Sequence, residues 1–244
     1  KRTHARGLRL SGHIPAFMSA EQAVRAGYDE IQHINMLFLN FIAGDREDTR
    51  KQLRFTLYGD KAGEVDLAGV EAQAFFSLLK EHDVVVDPTA AIFDTQLQHK
   101  AGNPDPSFAA VIDHLPLSVS RGLYNPDMEI TEANEAAWAR SRVNALTMLK
   151  TLYEKGIRMV PGSDNMPGFT IHRELELYTE AGIPNAAVLR MATLDSAAIV
   201  GASNRTGSVT IGKDADLVLL DGNPLEDMSS VRRALTVVKG GYLY

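Results

Sequence analysis

The chain has 244 residues, which is enough for one large domain or for one domain and part of another. Its formal net charge is -6, with 45% hydrophobic and 23% charged residues, and no cluster of Lys and Arg stands out, which argues against nucleic acid as a partner. No apolar run approaches the ~20 residues that span a bilayer, so we expect no association with a membrane, and the absence of Cys excludes disulfides and thiolate metal ligands.

Strand and helix patterns alternate along the first two hundred residues. Up to residue 90 they predict a strand at 8–13, a helix at 20–26 capped by Ser19 and Gln22, a strand at 30–34, a helix at 66–82 and a strand at 84–86. Beyond it they predict a helix at 131–155 capped by Thr131, a strand at 157–160, and helices at 172–181, 185–191 and 195–200. The stretch 35–64 contains apolar residues without a clean periodicity, and no element is predicted there. The stretch 91–130 is interpreted as irregular, and its length favours a functional role such as a lid.

The repeated order of strand, crossover helix and strand indicates an α/β fold with a parallel sheet. Open doubly wound sheets and closed barrels both fit this order. No Gly-rich phosphate loop follows a strand, which weakens a dinucleotide-binding interpretation. The four predicted strands end in a polar group: His13, His33, Thr89 and Asp164. Because barrel enzymes place their chemistry at the carboxyl ends of strands, this regularity favours a barrel.

The composition changes near residue 203. The sequence beyond it predicts short strands at 208–211, 216–220, 235–238 and 242–244, the last two joined by a hairpin at Gly240-Gly241. We therefore divide the chain into residues 1–202 and a small all-β part, residues 203–244.

His13, His33 and Asp164 are the candidates for chemistry, since a fold that gathers strand ends would bring them together. Two imidazoles and a carboxylate suit Zn²⁺, and they also match the ligand set of non-haem iron. Spacing alone is a weak signal, because no short metal motif such as HxH or HExxH is present. Each His could instead cap a turn or bind a carbonyl, and Asp164 could belong to a turn.

A series of short segments recurs in the order of a known family. The segments are Ser11-Gly12-His13-Ile14-Pro15, Ala26-Gly27-Tyr28-Asp29, Ile31-Gln32-His33, Pro161-Gly162-Ser163-Asp164, His172-Arg173-Glu174-Leu175-Glu176, Glu180-Ala181-Gly182-Ile183, Ala192-Thr193-Leu194, Gly207-Ser208-Val209, Gly212-Lys213, Ala215-Asp216-Leu217-Val218 and Gly222-Asn223-Pro224-Leu225. Together they resemble imidazolonepropionase-like and prolidase-like members of the amidohydrolase superfamily, which are metal-dependent hydrolases.

This resemblance implies a fold and a set of site residues. The fold is the second half of a (β/α)8 barrel of the TIM type, residues 1–202, followed by the C-terminal strands of a small β-sandwich domain, residues 203–244. His13 and His33 correspond to the metal-binding histidines of strands five and six. Asp164 corresponds to the aspartate of strand eight, which is both a metal ligand and the catalytic proton shuttle. The implied metal is Zn²⁺, one or two ions, or another divalent cation.

The resemblance also implies the reaction, hydrolysis of the C–N bond of a cyclic amide or a dipeptide by metal-activated water. The family's HxH pair on its first strand and its bridging Lys do not occur here, and we expect both to lie upstream of Lys1. Their absence from the chain keeps open a non-catalytic domain that retains the scaffold for binding or assembly. An iron-dependent oxygenase fits the ligand set but is disfavoured by the resemblance.

The expected partners follow from the incomplete fold. The substrate would be a small molecule or a dipeptide. Because half a barrel leaves two strand edges unpaired, we expect a homo-oligomer or association with the missing N-terminal half, and aggregation of residues 1–244 in isolation. Many relatives are secreted, which favours a periplasmic or secreted location.

Overall fold

A parallel sheet lies at the centre of the larger part of the chain in this computed structural model, which describes residues 2–43, 45, 47–166 and 168–244. Its strands follow one another in chain order: β1 (Ser11–Gly12), β2 (Glu30–Gln32) and β3 (Val85–Asp87). An isolated parallel bridge between Val86 and Met159 places the segment 157–160 beside β3. The predicted parallel arrangement is therefore present. The first two strands are shorter than predicted, the third is shifted by one residue, and the fourth is reduced to this bridge.

The two faces of this sheet differ in polarity, because successive side chains of a strand point to opposite faces. On one face Ile31 pairs with Val86, and both side chains are fully buried in the same core as the helices. On the other face Gln32 pairs with Asp87, and Glu30 lies two residues before Gln32. The sheet thus presents an apolar face to the helices and a largely polar face away from them.

Helices follow and connect the strands. They are α1 (Ala20–Arg25), α2 (Ile34–Ile42), α3 (Leu53–Lys61), α4 (Val70–Glu81), α5 (Ala90–Gln98), α6 (Leu117–Ser120), α7 (Glu135–Glu154), α8 (Thr170–Glu180), α9 (Asn185–Arg190) and α10 (Ser196–Ile199), with a π-helical turn at Met191–Asp195. Short 3-10 helices lie at His4–Arg6, Ala62–Glu64, Ile112–His114, Gly122–Tyr124 and Met228–Arg232. No helix in the described part of the chain is long and apolar enough to cross a membrane.

Residues 35–64, where the sequence predicted no element, contain most of α2 and all of α3. Residues 34–39 of α2 are all buried. A helix that is buried on every side carries no polar face, so its sequence lacks the amphipathic period that marks a helix. The stretch 91–130 is corrected in part, because it opens with most of α5 and is irregular only beyond it.

The predicted caps have different outcomes. Ser19 and Gln22 form the predicted reciprocal capping box at the start of α1. Thr131 does not cap α7, which begins after Asn134. The Asn134 side chain instead accepts a hydrogen bond from the Thr131 backbone N–H.

An antiparallel sheet follows the last helix of the larger part. It contains β4 (Leu217–Leu220), β5 (Ala234–Lys239) and β6 (Tyr242–Leu243), with the predicted hairpin at Gly240-Gly241. The predicted strand at 208–211 is not formed, because no described segment pairs with it, and Val209 and Ile211 are 86% and 104% exposed. The division of the chain at residue 203 stays a prediction.

Candidate metal centre at the strand ends

The three residues singled out from the sequence meet at the carboxyl ends of the parallel strands. His13 follows β1, His33 follows β2, and Asp164 follows the segment beside β3. The Nε2 atoms of His13 and His33 are 2.5 Å apart, and Asp164 Oδ2 lies 3.8 Å from His33 Nε2. The structure therefore brings together all three predicted site residues, although they are separated by up to 151 positions in the chain.

Polar contacts fix both the backbone and the ring of His33. Its backbone N–H donates to the Asp87 carbonyl at 2.7 Å, and its Nδ1 lies 2.6 Å from Thr89 Oγ1. The ring is buried, with 6% of the side chain exposed. A proton on Nδ1, donated to Thr89, leaves the lone pair of Nε2 directed at His13 and Asp164.

Left-handed backbone occurs at three positions after the strands, although not at His13. His33 has φ 74°, Thr89 has φ 42° and Asp164 has φ 40°. Such values cost non-glycine residues about 1–3 kcal/mol each, and they persist only where surrounding structure enforces them. They cluster at functional sites, and this grouping agrees with a site at the strand ends.

The two imidazoles are electrically neutral at neutral pH. Burial lowers the pKa of His33 to about 4, and the nearby His13 and Arg54 act in the same direction. Burial and the Arg54 guanidinium also lower the pKa of His13, against the opposing effect of Asp164. A neutral imidazole offers a lone pair without first losing a proton, which is the state that binds a metal ion.

Asp87 is a site residue that sequence reasoning missed. It ends β3 beneath His33, and its Oδ1 atom is buried without a hydrogen-bond partner among the described residues. Burial raises the pKa of Asp87 to about 7, and the nearby Glu30 carboxylate adds to the rise. Gly162 leaves room for this carboxyl, since a Cβ there would overlap the Asp87 side chain. The signal in the sequence is its position directly after Val86, at the end of the predicted strand.

Arg54 is a second missed residue. It lies in the first turn of α3, and its Nη1 is 3.3 Å from His13 Nδ1. The stretch that contains α3 carries no periodic pattern, so nothing in the sequence placed this side chain beside the strand ends. Its position depends on the packing of α3 against α2 and α7.

The three side chains are of the types that bind a divalent cation, but their present positions do not yet form a coordination site. Two neutral imidazole nitrogens and a carboxylate oxygen are ordinary Zn²⁺ ligands. No group of three His, Asp or Glu side chains in the described ranges surrounds a point at ligand distances. Two nitrogens on one tetrahedral Zn²⁺ lie ~3.3 Å apart, so the His13 and His33 rings would have to separate from their present 2.5 Å contact.

Comparison with sequence families gives a match over most of the chain. Residues 45–241 match the Amidohydrolase family. This range contains Asp164 and Asp87, whereas His13 and His33 precede it. No curated protein matches the chain significantly.

Comparison with solved structures extends the match to nearly the whole chain. A Xaa-Pro dipeptidase with methionine bound in its active site is 20% identical with a TM-score of 0.60, over 99% of this chain and 46% of that one. A prolidase complexed with N-methylphosphonate-L-proline is 22% identical with a TM-score of 0.56, over 99% and 46%. The ochratoxinase of A. niger is 20% identical with a TM-score of 0.58, over 98% and 42%. These similarities support a common fold, and the chain spans less than half the length of each of these proteins.

Proposed function

The chain belongs to the amidohydrolase family, and from this premise we propose that it is part of a metal-dependent hydrolase that cleaves a C–N bond of the amide type. The observation that carries the proposal is the convergence of His13, His33 and Asp164 at the strand ends. The matched structures support hydrolysis as the class of reaction. Metal dependence and the kind of bond are the parts that we add.

We propose that residues 1–202 form half of a (β/α)8 barrel. Parallel strands in chain order, a helical layer on the apolar face and polar side chains on the opposite face support this arrangement. The antiparallel strands β4, β5 and β6 would then belong to a β-sandwich domain. A barrel completed by chain outside residues 1–244 would cover both open edges of the parallel sheet.

His13, His33 and Asp164 are the residues that would hold the metal, as one or two Zn²⁺ ions or another divalent cation. When bound, such a cation lowers the pKa of a water molecule to ~7 and polarises a carbonyl oxygen. His33 contributes its Nε2, oriented by the contact between Nδ1 and Thr89. His13 contributes from the more exposed side of the site, next to the cavity that it helps to line.

Asp164 is proposed to move the proton. Its side chain is 55% exposed, and it lies beside the Nε2 atom of a buried histidine. A carboxylate in this position can accept a proton from the attacking water and pass it to the leaving nitrogen, which departs as an amine. The water oxygen then remains on the acyl carbon, and the products are a carboxylate and an amine.

The substrate is proposed to be a dipeptide or a cyclic amide. The Xaa-Pro dipeptidase and the prolidase among the matched structures support the first class. At 20% and 22% sequence identity, these two matches do not specify the side chains of the dipeptide, so the assay uses a mixture of dipeptides.

The test uses the full-length protein, purified without chelator. Asp164→Asn removes the proton acceptor and keeps the shape of the side chain, so we expect turnover to fall by about 100-fold or more with an unchanged melting temperature. Asp113→Asn, an exposed carboxylate elsewhere, is the control and keeps its activity. Turnover of Asp164→Asn close to that of the wild type would refute the assigned role. A full-length protein with neither stoichiometric metal nor turnover would favour the non-catalytic binding or assembly domain.

A further inference from the structure

A cavity of about 420 Å³ opens beside the candidate metal centre. Residues 13–17, Thr49, Arg50 and Arg54 line it. His13 therefore belongs both to the candidate ligands and to the lining of this cavity. The lining combines apolar side chains, those of Ile14, Pro15 and Phe17, with two guanidinium groups.

Arg54 lacks a carboxylate partner among the residues that the structure describes. A guanidinium has five N–H donors, yet its hydrogen bond in this part of the chain is the 3.3 Å contact to His13 Nδ1. Its Nε atom is buried, and no described residue forms a hydrogen bond with it. Its guanidinium carbon lies 4.5 Å from the centre of the Phe55 ring, which supports the group from one side.

The local structure does not explain a cation at this position. Arg54 lies in the first turn of α3, where the helix dipole disfavours positive charge. Burial lowers the pKa of the Arg54 guanidinium, whereas nearby Asp164 acts in the opposite direction. Placing a positive charge where it is partly desolvated and poorly paired costs free energy, unless an anion binds to it.

Arg50 lines the same cavity but is already satisfied. Its Nε and Nη2 atoms each lie 2.8 Å from one of the two carboxylate oxygens of Asp48. This bidentate pair occupies the face of the guanidinium that would bind a ligand. Among the described residues, Arg50 thus has a carboxylate partner, whereas Arg54 has none.

We propose that Arg54 binds the terminal carboxylate of the substrate, and that the substrates are therefore dipeptides or N-acyl amino acids with an apolar C-terminal residue. In such a molecule the carboxylate carbon lies two covalent bonds from the nitrogen of the scissile amide. A cation that binds it must lie next to the metal ligands, as Arg54 does beside His13. The planar guanidinium matches the two oxygens of a carboxylate, and residues 14–17 offer apolar surface to the side chain. The inference rests on the hydrolase proposed above, and it excludes neutral cyclic amides as preferred substrates.

The test compares carboxylates with the matching carboxamides, using the full-length metal-loaded protein. The substrates are a mixture of dipeptides with apolar C-terminal residues and the same mixture with amidated C-termini. Binding of L-leucine and L-leucinamide is measured by calorimetry, as a readout that does not need turnover. We expect the wild type to prefer the carboxylate in both assays.

Arg54→Gln should raise KM for the dipeptides by about 10- to 100-fold with a smaller change in kcat, and should abolish the preference for L-leucine over L-leucinamide. Arg54→Lys keeps the charge and should recover part of the affinity. Arg121→Gln, an exposed arginine outside the cavity lining, is the matched control and should change KM less than about twofold.

The outcomes separate this inference from the proposed function. If the protein turns over carboxylates and carboxamides equally, or if Arg54→Gln has the same KM as the wild type, the role of Arg54 is overturned. The proposed hydrolase is unaffected by either result. Binding of L-leucine that depends on Arg54, without turnover of either mixture, keeps the carboxylate site and overturns the hydrolase. If L-leucine does not bind and neither mixture is turned over, the carboxylate site and the hydrolase are both overturned.

Discussion

At the residue scale, the strand ends combine backbone strain with fixed side chains. His33 and Thr89 both have left-handed backbone, and they contact each other through Nδ1 and Oγ1 at 2.6 Å. The strain of Thr89 is unusual because its side chain is β-branched. Neighbouring structure must enforce it, and the following helix, α5, is held by a buried carboxyl group.

Glu174 is that group. It lies on α8, is fully buried, and accepts a hydrogen bond at 2.7 Å from the backbone N–H of Ala91 in the first turn of α5. Burial raises the pKa of Glu174 to about 8, the neighbouring Asp87 adds to the rise, and the hydrogen bonds from Ala91 and Ala90 oppose it. Tyr178 lies nearby, but within the described ranges neither its hydroxyl nor Glu174 Oε1 has a partner in hydrogen-bonding geometry. At neutral pH the carboxyl therefore carries a proton.

The free energy of unfolding should fall as the pH rises because of Glu174. A carboxyl whose folded-state pKa lies above the ordinary value of 4.5 stabilises the fold fully below that value, and this contribution is lost as the pH rises through about 8. The loss amounts to about 1.4 kcal/mol per pH unit between the two pKa values. Glu174→Gln imitates the protonated group, so this part of the pH dependence should disappear in the variant.

Chemical denaturation of the full-length protein between about pH 6.5 and about pH 8 measures this difference. Asp87 also has a raised pKa, so the wild type loses additional stability over the same range. The comparison with Glu174→Gln isolates one group because Asp87 is present in both proteins. If the free energy of unfolding changes with pH equally in the wild type and in Glu174→Gln, Glu174 is not protonated as proposed.

The sequence predicted His13, His33 and Asp164 because each ends a recognisable strand pattern. It did not predict Arg54 or Glu174. Their roles depend on burial and on which helix packs nearby, and neither property can be read from the amino-acid sequence alone. Arg54 in particular follows a segment without periodicity, and it reaches His13 only through the tertiary position of α3.

At the element scale, a buried ionic network joins three helices. Asp94 on α5 accepts from Arg142 on α7, at 2.6 Å, and from Arg173 on α8, at 2.9 Å. Glu180 closes the network by accepting from both arginines. The Asp94 side chain is 4% exposed, so these charges interact with little screening by water.

Asp94→Asn should lower the free energy of unfolding by about 3 kcal/mol, because two partly buried guanidinium groups lose their shared carboxylate. Thermal or chemical unfolding of the full-length protein measures the loss. Glu64→Gln is the control. Both side chains of its ion pair with Lys61 are exposed, so the pair should contribute less than about 1 kcal/mol to the free energy of unfolding. Equal effects of the two substitutions would mean that the network does not stabilise the helix packing.

The elements that the sequence predicted are those with a local signal. The start of α1 was found from Ser19 and Gln22, and the final hairpin from its two glycines. The helix α2 was missed because it is buried on all sides, and the strand at 208–211 was predicted where no described strand pairs with it. Pairing and burial are properties of the tertiary structure, so these errors could not be avoided from the pattern alone.

At the scale of the whole molecule, residues 1–244 leave apolar surface and strand edges uncovered. Ile211, Tyr242, Leu243 and Tyr244 are all at least 73% exposed, and they lie in or before the antiparallel sheet. The parallel sheet ends at β1 on one side, where no described segment pairs with its outer edge. Exposed edges and apolar faces of this kind promote association between chains.

A protein consisting of residues 1–244 should therefore self-associate. Sedimentation velocity at several concentrations should show species larger than the monomer, and amounts that grow with concentration. Ile211→Lys should reduce the association, because it places a charge on the uncovered surface. A monodisperse monomer with a single cooperative melting transition would contradict the expectation, and with it the proposal of an incomplete barrel.

His13, His33 and Asp164 are proposed to hold a divalent metal, as one or two ions. X-ray absorption at the metal edge of the full-length protein tests this claim most directly, with His33→Ala and His13→Ala as variants and His114→Ala as an exposed control. We expect nitrogen and oxygen ligands at ~2.0–2.2 Å with an imidazole signature that both variants weaken and the control preserves. Stoichiometric metal with an unchanged spectrum in His13→Ala and His33→Ala would place the cation elsewhere and contradict the claim.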